Sequence, residues 1–323
     1  MQPEINSQEA LAETYTLTAF FRSLIEYPYS REIIDYLLLK SGLEDQELQK
    51  RWDGFDAIFG EDYGKKISAL SFSAIIEARG ELIDSLLIEK VDKNTVILEV
   101  ASGFSPRAIN LINNHEISAD QYIETDREEV TSLKEEFYLS MEGVNKPTLS
   151  NYNVVEDEID QVVQLVLSCK ERNPLLDKLL VMNEGLLIYL KPDQQKKYFD
   201  NLRNISTQLK DHGIRLEYVS IDMPTHENFT SWLVHEGFTY DDHIEVMRNV
   251  DSIILECLHD TEEDFFKNVG IDISSINKHY YSDEIIENCK TEVLEKYKNI
   301  MNLDIMIKRF LKQKSLYAYS INF

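Results

Sequence analysis

Between residues 13 and 90 the apolar positions recur every three or four residues. LTAFFRSLIEYP, REIIDYLLLKSG and ISALSFSAIIEARGELIDSLLIEKV each carry such a stripe, which predicts amphipathic helices. Pro28 and the Ser41-Gly42 pair separate them. From Thr95 the character changes to short β-rich runs alternating with helical segments. Strands are expected at TVILEV (95–100), QYIET (121–125), KLLVMN (178–183) and IRLEYVSI (214–221). A shorter strand is expected near Pro147–Val154, and SLYAYSINF (315–323) alternates as a final edge strand would. Residues 225–312 read as largely helical. Strands with helices between them argue a mostly parallel sheet covered on both faces. The expectation is one α/β domain over residues 1–323, with a helical cap region at 1–94, an α/β core at 95–224, and a helical insertion with final strands at 225–323.

Composition narrows the partners more than the fold. The chain has 323 residues, 33 Lys+Arg against 58 Asp+Glu, and a formal net charge of −25. The acids are spread along the chain, so they read as solvated surface. Such a surface repels phosphate backbones and anionic lipids, so neither nucleic acid nor a membrane is an expected partner. No apolar run approaches the roughly 18–20 residues of a membrane span. Cys169, Cys257 and Cys289 stand far apart with no CxxC pair, which suits reduced thiols in a cytoplasm. The seven histidines show no HExxH-like spacing, and the cluster His226, His235 and His243 does not make a metal set, so no metal is expected.

The candidate chemistry lies in ILEVASGFSPRAINL, residues 97–111. In open α/β sheets ligands bind outside the carboxyl ends of the strands. Gly103 can approach a ligand closely, Ser105 suits an N-cap, and Pro106 suits the first helical position, which makes Arg107 the second. A cation in a first helical turn is disfavoured by a few tenths to about 1 kcal/mol. Either a ligand carboxylate or a protein acid could offset that cost. Arg79 stands on the apolar stripe of Ile76, Ile83 and Leu86, where it needs a partner or a route to water, with Glu77 and Asp84 within reach. Gly80 beside it costs helix stability and hints at a close approach.

A dinucleotide fingerprint would need GxGxxG. Here the frame is AxGxxP, with Ala101 and Pro106 at the outer glycine positions, so pyrophosphate is disfavoured. Asp126 follows Gly103 by 23 residues, the spacing at which a second-strand acid accepts ribose hydroxyls. A nucleoside with a carboxylate arm and no phosphate describes S-adenosylmethionine. Glu184, between LLVMN and LLIYL, is an acid between two runs that want burial, and an ammonium would pair it. Glu99 is expected to brace the loop through backbone N–H groups.

ILEVASGFSPRAINL, YIETDREEVTSLKEE and NEGLLIYLKPDQQ, in that order, resemble the leucine carboxyl methyltransferase family, most closely its bacterial branch of polyketide-type O-methyltransferases. The resemblance covers roughly Ala78 to Asn204. It implies a class I S-adenosylmethionine-dependent methyltransferase with a Rossmann-like, seven-stranded, mostly parallel sheet. It further implies that Ala101 and Gly103 pack against the cofactor and that Arg79 and Arg107 hold its carboxylate, near Glu99. Asp126 would bind the ribose, Glu184 would receive the amino group, and Asn153 and Val154 would read the adenine. Ala101, Ser105-Pro106 and Asn153 depart from the family's usual residues. The product would be S-adenosylhomocysteine (SAH), and the acceptor a small molecule or, as a second choice, a protein carboxylate. Tyr189 and Tyr218 are the candidates for an acceptor pocket, and no residue stands out as a general base. A catalytically silent cofactor-binding protein and an NAD(P)-dependent oxidoreductase are the alternatives from other classes.

Overall fold

The computed structural model describes residues 19, 22, 27–40, 63–115, 117–153, 155, 159–226, 228, 257–288, 311–312 and 316–323, with the backbone alone at 63–75. Seven strands form one sheet in the order β3-β2-β1-β4-β5-β7-β6. They are β1 Thr95–Val100, β2 Tyr122–Asp126, β3 Thr148–Asn151, β4 Lys178–Asn183, β5 Arg215–Ser220, β6 Asn277–Tyr280 and β7 Tyr317–Asn322. β1 to β5 pair in parallel, while β7 runs antiparallel to both β5 and β6. The Rossmann-like, mostly parallel seven-stranded sheet is therefore present.

Every residue of β1 and β4 is buried, as strands covered on both faces must be. The pleat sends their side chains alternately to two cores. Ile97, Leu180 and Met182 join helices α2 (Tyr63–Lys90) and α3 (Arg107–Asn114) on one face, with α8 (Asp283–Asn288). Val96, Leu98, Val100, Leu179 and Val181 join α5 (Ile159–Arg172), α6 (Pro192–Lys210) and α7 (Glu262–Asn268) on the other. Helices α1 (Ser30–Lys40) and α4 (Glu128–Ser140) close a third cluster with Phe104 and Ile109. Each fully buried Leu, Ile or Val in these layers contributes about 1.5–3 kcal/mol.

Two expectations are corrected here. The tail strand is not an edge: Tyr317–Ile321 are all buried, and β7 is paired on both sides. The edge is β6, a short polar NKHY run within the stretch expected to be helical, and mostly exposed. Its apolar content is too low to signal a strand, and β7 supplies the pairing that makes it one. Apart from residues 19 and 22, the stretch 13–26 expected to be helical lies outside the described residues, as do residues 229–256 and 289–310, His235, His243, Cys289 and Val154. Among the described residues no helix is long and apolar enough to cross a membrane, and no group of three or more His, Cys, Asp or Glu could hold a metal.

Candidate functional site

The loop after β1 turns sharply. Ala101 and Gly103 both take left-handed backbone conformations, at φ 54° and 49°. For alanine that conformation is strained by about 1–2 kcal/mol. The turn is held by the Ser102 N–H on the Thr125 carbonyl at 3.0 Å and by the Gly103 N–H on Asp126 Oδ2 at 2.7 Å. The helix then begins one residue later than expected. Pro106 is the N-cap, and Arg107 is the first helical residue. Ser105 keeps a capping contact, its hydroxyl accepting the Arg107 N–H at 3.3 Å.

Arg107 is 1% exposed and, among the described residues, is the largest of the fully buried side chains. Its Nε donates to Asp84 Oδ1 on α2 at 2.6 Å, and its Nη1 to Glu99 Oε1 on β1 at 3.0 Å. Nη2 donates to Glu184 Oε2, just past β4. Burial opposes the guanidinium's charge, but Glu184, Asp84 and Glu99 outweigh it and hold its pKa well above the ordinary value. The cost of a cation at a helix N-terminus is thus met by three protein carboxylates, none of them on the surface. Glu99 also accepts the Tyr122 hydroxyl at 2.8 Å. Its partners are side chains rather than the loop amides expected, because the pleat points it toward α2 and α3.

Glu184 gathers the other arginines. Its Oε2 accepts from Arg22 at 3.0 Å, and its Oε1 lies 3.5 Å from Arg79 Nε. Burial pushes its carboxyl up, yet Arg22, Arg107 and Arg79 together hold it well below the usual carboxylate range. Arg79 also pairs with Asp222 at 3.4 Å. So the arginine on the apolar stripe of α2 reaches acids from β4 and β5. The close approach inferred at Gly80 is made by the Tyr27 ring, 3.5 Å from where a Cβ would stand. The Tyr27 hydroxyl in turn donates to Asp84.

Asp222 was not singled out from the sequence, although it holds the turn that carries Glu184. It accepts the N–H groups of Gly185 at 2.7 Å, Leu186 at 2.7 Å and Leu187 at 3.0 Å, and Asn183 Nδ2 at 2.8 Å. Gly185 needs φ 75° for this turn. Arg22, Tyr27 and Tyr122 were likewise missed. Asp84 was named as a partner within reach of Arg79, whereas its carboxylate accepts from Arg107 at 2.6 Å, and Arg22, Tyr27 and Tyr122 carried no signal of their own.

Asp126 ends β2 with both oxygens engaged by backbone, Oδ2 by Gly103 and Oδ1 by Arg127 at 2.8 Å. Burial raises its pKa against these bonds. Each carboxylate oxygen retains a second lone pair for a hydroxyl. Beneath it, Glu124 and Lys134 form a pair at 2.6 Å with both side chains 0% exposed, and Tyr138 donates to Glu124 at 2.7 Å. Asn153 is half-buried past β3, and its side-chain oxygen accepts the Val155 N–H at 3.3 Å.

The acceptor candidates separate. Tyr189 is half-buried in the turn Leu187–Tyr189 after Glu184. Tyr218 is 0% exposed, stacked edge-on with Tyr198, Phe199 and Tyr319, and its hydroxyl donates to Asn183, so it is a core residue. β5 is an interior strand between β4 and β7, and Tyr218 points into the core formed with α5, α6 and α7. A surface groove of about 760 Å³ beside Asp177, Arg203, Lys210 and Arg215 lies at the opposite end of the sheet, where β4 and β5 begin.

No family model and no curated protein matches this chain. Solved structures resemble it at low identity. A mycolic acid cyclopropane synthase complexed with SAH and CTAB is 8% identical, covering 75% of this chain and 82% of its own at a TM-score of 0.38. An S-adenosylmethionine-dependent methyltransferase from Clostridium acetobutylicum is 14% identical, covering 76% and 89% at 0.36. An O-methyltransferase family protein from Burkholderia thailandensis is 10% identical, covering 77% and 68% at 0.36.

Proposed function

We propose that this chain is an S-adenosylmethionine-dependent methyltransferase that methylates an oxygen of a small molecule, in the manner of the leucine carboxyl methyltransferase family it resembles. The observation that carries this reading is the meeting of three distant motifs at the carboxyl edge of the sheet. Arg107 touches Glu184, and Gly103 touches Asp126, across β1, β2 and β4.

The donor set fits such a cofactor in chemistry. Asp126 has lone pairs left for two ribose hydroxyls. Glu184 suits the amino group, and Arg79 with Arg22 suits the carboxylate, a fork on an anion. Arg107, engaged on three sides, then holds Glu184 in place from within. Asn153 would accept from the adenine amino group, with Val154 beside it. Among the described residues the cluster holds Arg22, Arg79 and Arg107 against Asp84, Glu99, Glu184 and Asp222, a formal charge of 3 − 4 = −1. A ligand with net charge +1, as S-adenosylmethionine carries, complements it.

When bound, the cofactor supplies an electrophilic methyl group on a sulfonium. The protein's work is alignment of donor and acceptor at about 3–3.5 Å and exclusion of water. Arg22, Arg79 and Arg107, each paired with buried acids, would hold the donor groups in place for that purpose. A cytoplasmic setting accords with the buried free thiols Cys169 and Cys257.

Calorimetry and thermal shift test the reading. S-adenosylmethionine and SAH should each stabilise the protein, by about 2.7 kcal/mol at a hundred times the dissociation constant. Asp126→Ala should weaken SAH binding by roughly tenfold or more, the value of one or two lost hydrogen bonds to a charged group. Stabilisation by NAD(P) alone would sink the proposal. Tight cofactor binding with no methyl product from any acceptor would favour a silent cofactor-binding protein.

A further inference from the structure

Gln195, in the first turn of α6, is 0% exposed and sits where three backbone carbonyls converge. Its Nε2 lies 3.0 Å from Leu187 O, 2.8 Å from Leu190 O and 2.9 Å from Cys257 O. Only an amino group can face three acceptors, so the amide's orientation is settled by chemistry. Its Oε1 is then the atom 2.7 Å from His259 Nε2. That oxygen only accepts, so Nε2 of His259 carries the proton. In a neutral imidazole the Nδ1 atom is therefore a bare lone pair. Among the described residues Nδ1 has no hydrogen-bond partner.

The placement of this ring is as informative as its tautomer. His259 pairs with Thr225, its N–H donates to Pro224 O at 2.8 Å, and its carbonyl accepts the His226 N–H at 2.9 Å. Those residues leave the carboxyl end of β5, while Leu187 and Leu190 follow Glu184 at the carboxyl end of β4. The ring thus stands at the edge of the sheet that carries the proposed cofactor site, half-buried against Phe265 at 5.6 Å.

We propose that His259 is the proton acceptor of this site, oriented by Gln195, and that the methyl acceptor is accordingly a hydroxyl compound, a phenol or an alcohol. The inference rests on the methyl-transfer reading above. As the acceptor oxygen attacks, the O–C bond forms and the C–S bond breaks, its electron pair passing to sulfur to leave a neutral thioether. The hydroxyl proton moves to Nδ1, giving an imidazolium whose Nε2–H stays on Gln195, and then leaves to water. A carboxylate acceptor is already ionised and needs no such group. Burial lowers the pKa of His259 although Asp264 and Asp260 act to raise it, which favours the neutral ring over the imidazolium.

Three measurements decide the matter. SAH binding by calorimetry should be the same in wild type and His259→Asn within about threefold, since the ring's contacts, Gln195 and Phe265, are not among the residues assigned to the cofactor. Absence of SAH binding to wild type overturns the methyl-transfer reading and this proposal with it; binding lost only in the variant overturns this proposal alone. Nitrogen-15 spectra of histidine-labelled protein should show the Nε2–H tautomer for His259, and Gln195→Met should abolish that preference; the Nδ1–H tautomer in wild type overturns the proposal. Finally, labelled S-adenosylmethionine is offered to a mixture of small phenols, alcohols and carboxylic acids. Base-stable ethers are expected, formed about 100-fold or more slowly by His259→Asn, with the wild-type rate falling as pH drops through the imidazole pKa. Base-labile esters, no product, or ethers formed equally well by the variant would overturn it.

Discussion

Arg107 Nη2 donates to Glu184 Oε2 across 77 residues of sequence, joining the start of α3 to the turn after β4. Both side chains are nearly closed off from water, at 2% and 8% exposure. Each also has further partners of opposite charge, so the pair is the centre of a network rather than an isolated bridge. Desolvation offsets much of what a buried ion pair contributes to stability, but removing one partner is costly because it leaves the other charge buried and uncompensated.

Arg107→Ala should therefore destabilise the protein by about 3–5 kcal/mol, because Asp84, Glu99 and Glu184 lose a shared cation in a dry site. Arg107→Lys should recover less than half of that loss, since one ammonium cannot serve three carboxylates placed around a planar fork. Urea unfolding midpoints at constant slope check both.

Asp222→Asn should cost about 1–3 kcal/mol. One end of the new amide must present N–H groups to backbone N–H donors of Gly185 or of Leu186 and Leu187. The turn that carries Glu184 should shift, and SAH affinity should fall by roughly tenfold. A thermal midpoint measured beside a calorimetric titration separates the two effects.

Glu124 supplies a pH signature. Burial pushes its carboxyl up to about 7 from a usual 4.5, against the opposing pull of Lys134. A carboxyl whose folded pKa is raised binds more protons when folded. Its contribution to stability is therefore fullest below about pH 4.5 and declines as pH rises toward about 7. The slope is at most about 1.4 kcal/mol per pH unit. Glu124→Gln should remove this part of the pH dependence, seen as a flatter stability profile between those limits. An unchanged profile would show that Glu124 is ionised throughout.

Gly80→Ala should stabilise α2 by up to about 1 kcal/mol. The added Cβ would meet Tyr27 at 3.5 Å, an ordinary contact, so the helix gains without a clash. A raised thermal midpoint with unchanged SAH binding is expected.

The sequence by itself determined β1, β2, β4 and β5 to within a residue at each end, as with TVILEV and KLLVMN, because strands buried on both faces must be largely apolar, whereas the polar β3 was placed only near 147–154. It also singled out Arg79, Arg107, Glu99, Asp126 and Glu184, since a charge interrupting an apolar pattern or opening a helix asks for a partner. It could not say which partner. Asp84 and Glu184 lie 23 and 77 residues from Arg107, Arg22 lies 162 from Glu184, and Asp222 lies 143 from Arg79. Only closure of the parallel sheet brings such positions within hydrogen-bond reach. The same holds for β6, a polar run with no strand pattern of its own, and for His259, whose tautomer depends on three carbonyls gathered around Gln195. Local pattern decides which residues must be buried; the crossing of elements decides what a buried charge or a half-buried imidazole meets there.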